Sequence, residues 1–265
     1  MSGPGKTRIL YVFLFLLILG SGQAAADSRI GIGLGGAFTG FRDETEAPIN
    51  RYLNALTYEI TGNFIRGYFL HSFGICFYTG NAKMAAPFIG FTHKQYNSYR
   101  FFMSYSLGRR LWGSETFPGY LGGAFRSGLY FTLPHDDLAR FPTGFVLFSL
   151  DLHLTQKWNI NARNLISFSA GFPVFGYAIR PPFAMTNNEW EKYLSQERYF
   201  RLITLGEFTS LHNFLAFYCD FTYHFRINTW LSLYSRLGFE LSRFTFYRQR
   251  IDAITRLTAG VSFTF

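Results

Sequence analysis

The residues best suited to chemistry are a few histidines with acidic or hydroxyl neighbours and six charges set among apolar residues. His135-Asp136-Asp137 form one cluster, and Ser210 stands two positions before His212. A histidine beside a carboxylate or hydroxyl is the minimum for general-base or nucleophilic catalysis. Asp151 and His153, and likewise Asp220 and His224, have spacings that put each pair on one face of an extended strand. Such a pair could hold a metal or carry a proton. Arg126, Asp151, Asp220, Arg236, Glu240 and Arg256 mix both signs and share parity with small residues, which suits ion pairing. The chain has no Gly-x-Ser-x-Gly elbow, phosphate-cradling loop or paired-cysteine metal motif. A loop His–Asp cluster is ordinarily solvated, and a strand His–Asp pair ordinarily joins a hydrogen-bond network. The reading is therefore non-enzymatic, with no cofactor and no metal. Cys76 and Cys219 fall on opposite parities, so their Cβ vectors do not converge and two free thiols are expected.

The elements that position these residues are strands. In Ile30 to Thr39, Ile30, Ile32, Leu34 and Phe38 share one face, and Gly31, Gly33, Gly35 and Ala37 the other. The same alternation recurs around Leu56–Phe64, Phe69–Phe77, Phe101–Leu107, Leu121–Phe131, Phe148–Leu154, Ile166–Phe172, Leu215–Phe225 and Leu231–Leu241. It ends in Leu257, Ala259, Val261, Phe263 and Phe265, separated by Thr258, Gly260, Ser262 and Thr264. That makes ten strands, with eight or twelve as alternatives. Polar stretches at 42–55, 79–98, 133–143, 179–212 and 243–253 read as long loops, and those near 66–67, 112–114, 156–159 and 226–228 as short turns. Leu152 and Leu233 read as the middles of their apolar faces.

Aromatics make up 20% of the residues and charged side chains only 15%, against about 25% charged in soluble domains. After the first 26 residues no near-continuous apolar run of helix-spanning length appears. Apolar content without long runs is how a transmembrane β-barrel distributes its lipid face. The alternative, a soluble sandwich, fits poorly with faces so rich in Gly, Ser and Thr, which suit a narrow lumen. Residues 1–26 read as a cleaved signal peptide: Lys6 and Arg8, the apolar run Ile9 to Leu19, then Ala24-Ala25-Ala26. The domains are thus 1–26, signal peptide, and 27–265, barrel. Removing Lys6 and Arg8 lowers the formal charge from +9, leaving 23 basic against 16 acidic residues. The basic residues are scattered singly, which points to anionic lipid surfaces and away from nucleic acid.

The signal peptide, the alternation and the aromatic C-terminus resemble bacterial outer-membrane β-barrel proteins. The resemblance implies an antiparallel up-and-down barrel in the outer membrane of a diderm bacterium, with long loops outside the cell and both termini in the periplasm. It also makes Leu257, Val261, Phe263 and Phe265 an assembly signal, with the barrel-assembly machinery, periplasmic chaperones and outer-membrane lipid as partners. Within the class, ten-stranded surface proteases and lipid-active barrels are enzymes, but this chain's His and Asp residues do not match their motifs. The expected protein is a small monomeric barrel that supports the envelope or presents surface loops; a narrow porin or transporter of small or hydrophobic solutes is the alternative. Hairpin register sets Arg126 beside Asp151, Arg236 beside Asp220 and Glu240 opposite Arg256, so the lumen is expected to be plugged by its own ion pairs.

Overall fold

The computed structural model describes residues 28–43, 47–84, 96–134, 143–179, 206–211, 213–245 and 249–265. The segment 1–26, the His135-Asp136-Asp137 cluster and His212 lie outside the described residues. The strands are β1 (Arg29–Asp43), β2 (Ala47–Arg66), β3 (Phe69–Met84), β4 (Tyr96–Trp112), β5 (Gly119–Pro134), β6 (Thr143–Asn159), β7 (Asn164–Ile179), β8 (Glu207–Ser210), β9 (Phe214–Arg226), β10 (Leu231–Phe244) and β11 (Arg250–Thr264). Each pairs antiparallel with its neighbour, and β1 pairs with β11 from Arg29↔Thr264 to Asp43↔Arg250, so the sheet closes. β8 and β9 lie in line against β7 and make one wall position. The barrel is therefore ten-stranded, the expected count.

The break between β8 and β9 has a local cause. Phe175 faces Ser210 and Gly171 faces Tyr218, so this wall carries more residues than β7. The surplus closes on itself, with Asn213 N–H donating to Ser210 O (3.0 Å) and Ser210 N–H to Asn213 Oδ1 (2.9 Å). Opposite the break stands Pro173, at a bulge where the β6–β7 register also shifts between Leu150 and Asp151. A strand proline has no N–H to give the ladder, so a bulge facing an interrupted neighbour is where it fits.

At one end the connections are short. Gly67 begins the β2–β3 turn with φ +57°, a left-handed conformation that glycine adopts without strain. Gly113 takes φ +86°, and a Cβ there would meet the carbonyl of Phe117. Asn161 Oδ1 accepts the N–H groups of Arg163 and Asn164 (both 2.9 Å), and Asn228 Oδ1 those of Trp230 (3.0 Å) and Leu231 (2.7 Å). Both are side-chain turns. Two expected turns move slightly: β6 runs through 156–159 and turns at 160–163, and the β9–β10 turn is 227–230.

At the other end the strands outrun the expected loops. β1 and β2 reach Asp43 and Ala47 inside the expected loop 42–55; β10 ends at Phe244 and β11 starts at Arg250 inside 243–253. Loops 79–98, 133–143 and 179–212 likewise lose residues to β3, β4, β5, β6, β7 and β8. The polarity of the wall reverses there. Around its middle, Ile32, Leu34, Leu56, Leu150, Leu237 and Phe221 are exposed on the outside, as a lipid-facing belt requires. Nearer the long-loop end, Phe41, Leu53, Tyr130, Phe145 and Phe244 are buried inside, while Arg42, Asn54 and Arg243 face out. Leu233 needs a correction as well. It pairs with Phe225 beside the 227–230 turn, whereas Leu237, between Phe221 and Leu257, holds the middle of the belt.

Candidate functional site

The lumen is filled in layers, and glycines on the inner wall make room for its largest side chains. A Cβ on Gly33 would strike the Tyr234 hydroxyl and come within 3.1 Å of Glu59. One on Gly238 would enter the space of Arg256 and Asp220.

All six charges read from parity point inward at the middle of the barrel, joined by Glu59. Arg126 donates from Nη2 to Glu240 Oε2 (2.6 Å), places Nη1 3.9 Å from Asp151 Oδ2, and lies 4.0 Å over the Tyr218 ring. Arg236 Nη1 reaches Glu59 Oε2 (3.3 Å), whose Oε1 accepts from Thr258 Oγ1 (2.8 Å). Arg256 donates from Nη2 to Asp220 Oδ1 (2.5 Å) and from Nη1 to the Tyr78 hydroxyl (2.9 Å). Only one of the three expected partnerships is found, Arg126 with Asp151. The register sets Arg236 opposite Thr222 and Glu240 opposite Ile254, so the pairs Arg236–Asp220 and Glu240–Arg256 are replaced. The physical reason is closure: inward side chains converge on the axis, so long ones meet partners across the lumen. Arg236 and Glu59 are 177 residues apart in sequence, and Arg126 and Glu240 are 114.

Toward the long-loop end lies a layer that parity alone did not single out. Asp252 accepts from Arg250 Nε (2.6 Å) and faces Arg100 Nη2 at 3.4 Å; Arg100 and Asp252 are 2% and 1% exposed. Arg100 stacks over Phe41 and Tyr130 (both 5.2 Å), and Arg250 over Tyr130 (5.1 Å) and Phe145 (5.2 Å). Two apolar clusters flank these cations, one around Phe145, Phe214 and Phe244 and one around Phe41, Leu53 and Tyr78; Phe102 packs against both. The signal available in the sequence was the run of large apolar residues at 41, 53, 130 and 244 on the parity that small and polar residues hold elsewhere, which a single alternation rule discards.

Toward the short-turn end the lumen opens into a polar cup of about 140 Å³. His153 places Nδ1 3.1 Å from the Tyr218 hydroxyl and Nε2 3.0 Å from Thr155 Oγ1, and Thr155 continues to Ser169 Oγ (3.2 Å). His224 Nδ1 lies 3.5 Å from Ser262 Oγ. Each histidine thus meets hydroxyls, while Asp151 and Asp220 face arginines. Among the described residues no group of three or more His, Cys, Asp or Glu could hold a metal ion. Cys76 is buried on the inner face, Cys219 lies half-buried on the outer one, and both are free thiols. Leu257, Val261, Phe263 and Phe265 all face outward. Phe263 stacks on Trp230 (6.1 Å), Phe265 meets the Phe64 ring at 5.9 Å, and the Phe265 N–H donates to Ser28 O (3.1 Å).

A closed ten-stranded antiparallel barrel with an apolar belt and a packed lumen is the fold of the outer-membrane β-barrels. No protein-family model and no curated protein matches the chain. Among solved structures it is similar to the outer membrane protease OmpT from Escherichia coli, with a TM-score of 0.54, 8% identity, and 92% of this chain and 99% of that chain covered. Weaker likenesses are to the translocator domain of the autotransporter NalP from Neisseria meningitidis (TM-score 0.41, 8% identity, coverage 98% and 96%) and an outer membrane channel from Pseudomonas putida F1 (0.36, 9%, 90% and 95%). At these identities the likeness is one of fold.

Proposed function

We propose that this chain is a small, monomeric, non-enzymatic barrel of the outer membrane that supports the envelope or presents its long loops outside the cell. The short-turn end then faces the periplasm, as in single-chain barrels of this class. One observation carries the reading: two successive layers of paired charges and aromatic rings cross the lumen, from Arg126–Glu240 and Arg256–Asp220 to Arg100–Asp252. In a barrel scarcely wider than the eight-stranded kind, side chains of this size occupy the bore.

Planar-bilayer recording of the folded protein should show little or no steady conductance. Arg236→Ala should lower the unfolding temperature, because Glu59, 1% exposed in its side chain, loses its arginine. A large stable conductance in the unmutated barrel would replace this reading with a narrow porin or transporter.

The terminal residues supply the assembly signal in this reading, recognised by the barrel-assembly machinery after export through a cleaved signal peptide. Phe265 closes the β1–β11 seam against Ser28 and Phe64. Deleting it should reduce the heat-modifiable, folded fraction recovered from outer membranes several-fold. Full recovery of folded protein after density fractionation would argue against that role.

A further inference from the structure

We propose that the cup in the short-turn half of the lumen binds a small oxyanion, the phosphate or carboxylate of a soluble solute entering from the short-turn end. The cup continues into a mouth formed by the 160–163 turn, Thr116 and Arg226, and the two spaces share Arg29, Leu165 and His224. At its far end stand the ion pairs of the lumen and, beyond them, the Arg100–Asp252 layer.

The charges on this surface are unevenly placed. Among the described residues, cup and mouth together are lined by seven arginine or lysine side chains and three carboxylates. All three carboxylates, Glu59, Asp220 and Glu240, sit on the floor in contact with Arg236, Arg256 and Arg126. Below that floor Arg29, Lys157, Arg163 and Arg226 line the walls and mouth, and among the described residues no further carboxylate side chain lines them. A guanidinium carries five N–H donors and an ammonium three, so each has donors to share between a neighbour and a ligand. Eight Ser and Thr residues among the described ones also line the cup, beside apolar ones such as Phe73 and Phe239. Each hydroxyl can donate to an oxyanion. A concave surface of one sign within low-dielectric walls focuses its field and raises the local concentration of counter-ions. The volume, about 140 Å³, is on the order of ten times the space one water requires. A phosphate or short dicarboxylate fits.

Lys157 is the side chain to test. It is 7% exposed, stands beside Ser167 in the ladder, and holds its ammonium 5.9 Å over the Tyr120 ring. The full barrel, folded in neutral detergent, is titrated with inorganic phosphate and separately with succinate, chloride being adjusted to hold ionic strength constant. Both should raise the unfolding temperature saturably and compete with one another in calorimetry. Lys157→Gln should weaken phosphate at least ten-fold. If that variant does not fold, Arg163→Glu on the exposed turn serves instead and should weaken phosphate several-fold by reversing one charge at the mouth. Unsaturable effects, or affinities unchanged in the folded variant, would overturn the proposal. Stabilisation by phosphatidylglycerol in the micelle with no response to either soluble anion would also overturn it, assigning the charges to lipid headgroups at the rim. The experiment is blind to conductance and to orientation, so its failure leaves the plugged-barrel reading standing, and a conducting barrel leaves the cup untouched.

Discussion

Asp252→Ala is expected to destabilise the folded barrel by about 3–5 kcal/mol, the cost of removing one partner from a buried ion pair. Asp252 is 1% exposed and lies between two guanidinium groups, Arg250 at 2.6 Å and Arg100 at 3.4 Å. Arg100 is 2% exposed, and its other close company is the faces of Phe41 and Tyr130. Aromatic faces offset part of the burial of a cation, by about 2 kcal/mol when it is desolvated. They do not replace a carboxylate. Loss of Asp252 takes from Arg100 its carboxylate and leaves it near a second guanidinium, that of Arg250, in a layer with little access to solvent. Asp252→Asn keeps the volume and one acceptor oxygen, so it should fall between wild type and Asp252→Ala. Urea unfolding in detergent, followed by tryptophan fluorescence, measures all three. A change below about 0.5 kcal/mol for Asp252→Ala, the range of an ordinary surface substitution, would mean that water reaches this layer and the plug is not dry.

The belt and the count of strands were legible because lipid imposes a single rule on the outer face. Ile32, Leu34, Leu237 and Phe221 obey it, and the small residues opposite them complete the period of two. The strand ends were not legible. Near the long-loop end the inside is dry and the outside polar, so Phe41, Leu53 and Phe244 fall on the parity that glycines and serines hold lower down. One alternation rule therefore reads the change of rule as the end of a strand. For the site, parity and register placed six charges on the inner face and one of their pairings, Arg126 with Asp151, but not the others. Local register relates residues joined by one turn, whereas Glu59 meets Arg236 and Glu240 meets Arg126 across a closed bore. Glu59 itself has the right parity. Nothing nearby in sequence marks it, since its arginine lies at the other end of the chain. Arg250 was hidden differently: beside Arg248 and Gln249 it reads as loop, and only the ladder with Asp43 and Phe244 turns it inward. Pro173, inside the apolar run Phe172-Pro173-Val174, marks a break in the ladder because it has no N–H to donate, and a bulge is found there.

Leu237→Arg should cost about 2–4 kcal/mol of folded stability and Leu233→Arg no more than about 1, although both leucines are exposed on the same face of β10. The difference is depth. Leu233 pairs with Phe225 and Val261, two residues from the level where Leu231 pairs with Phe263 and Trp230 stacks on Phe263. Aromatic rings of that kind sit at membrane–water interfaces, where an arginine can lift its head group into water. Leu237 lies between Phe221 and Leu257. Four residues at about 3.3 Å each, on a strand tilted by roughly 40°, put it about 10 Å deeper. In an apolar band about 25 Å tall that is close to the midplane, the costliest level for a guanidinium. Thr258→Arg acts by another route: Thr258 is 1% exposed inside the barrel and donates to Glu59, so the larger side chain would crowd the ion layer and meet no lipid. The lipid-face pair therefore isolates membrane depth from lumen packing. Both variants should be folded into bilayers of defined thickness and unfolded in urea. Thinner bilayers should reduce the Leu237→Arg penalty toward that of Leu233→Arg, because the guanidinium then has less distance to water. Equal costs at the two positions, or a Leu237→Arg cost indifferent to bilayer thickness, would show that this face of β10 does not meet hydrocarbon.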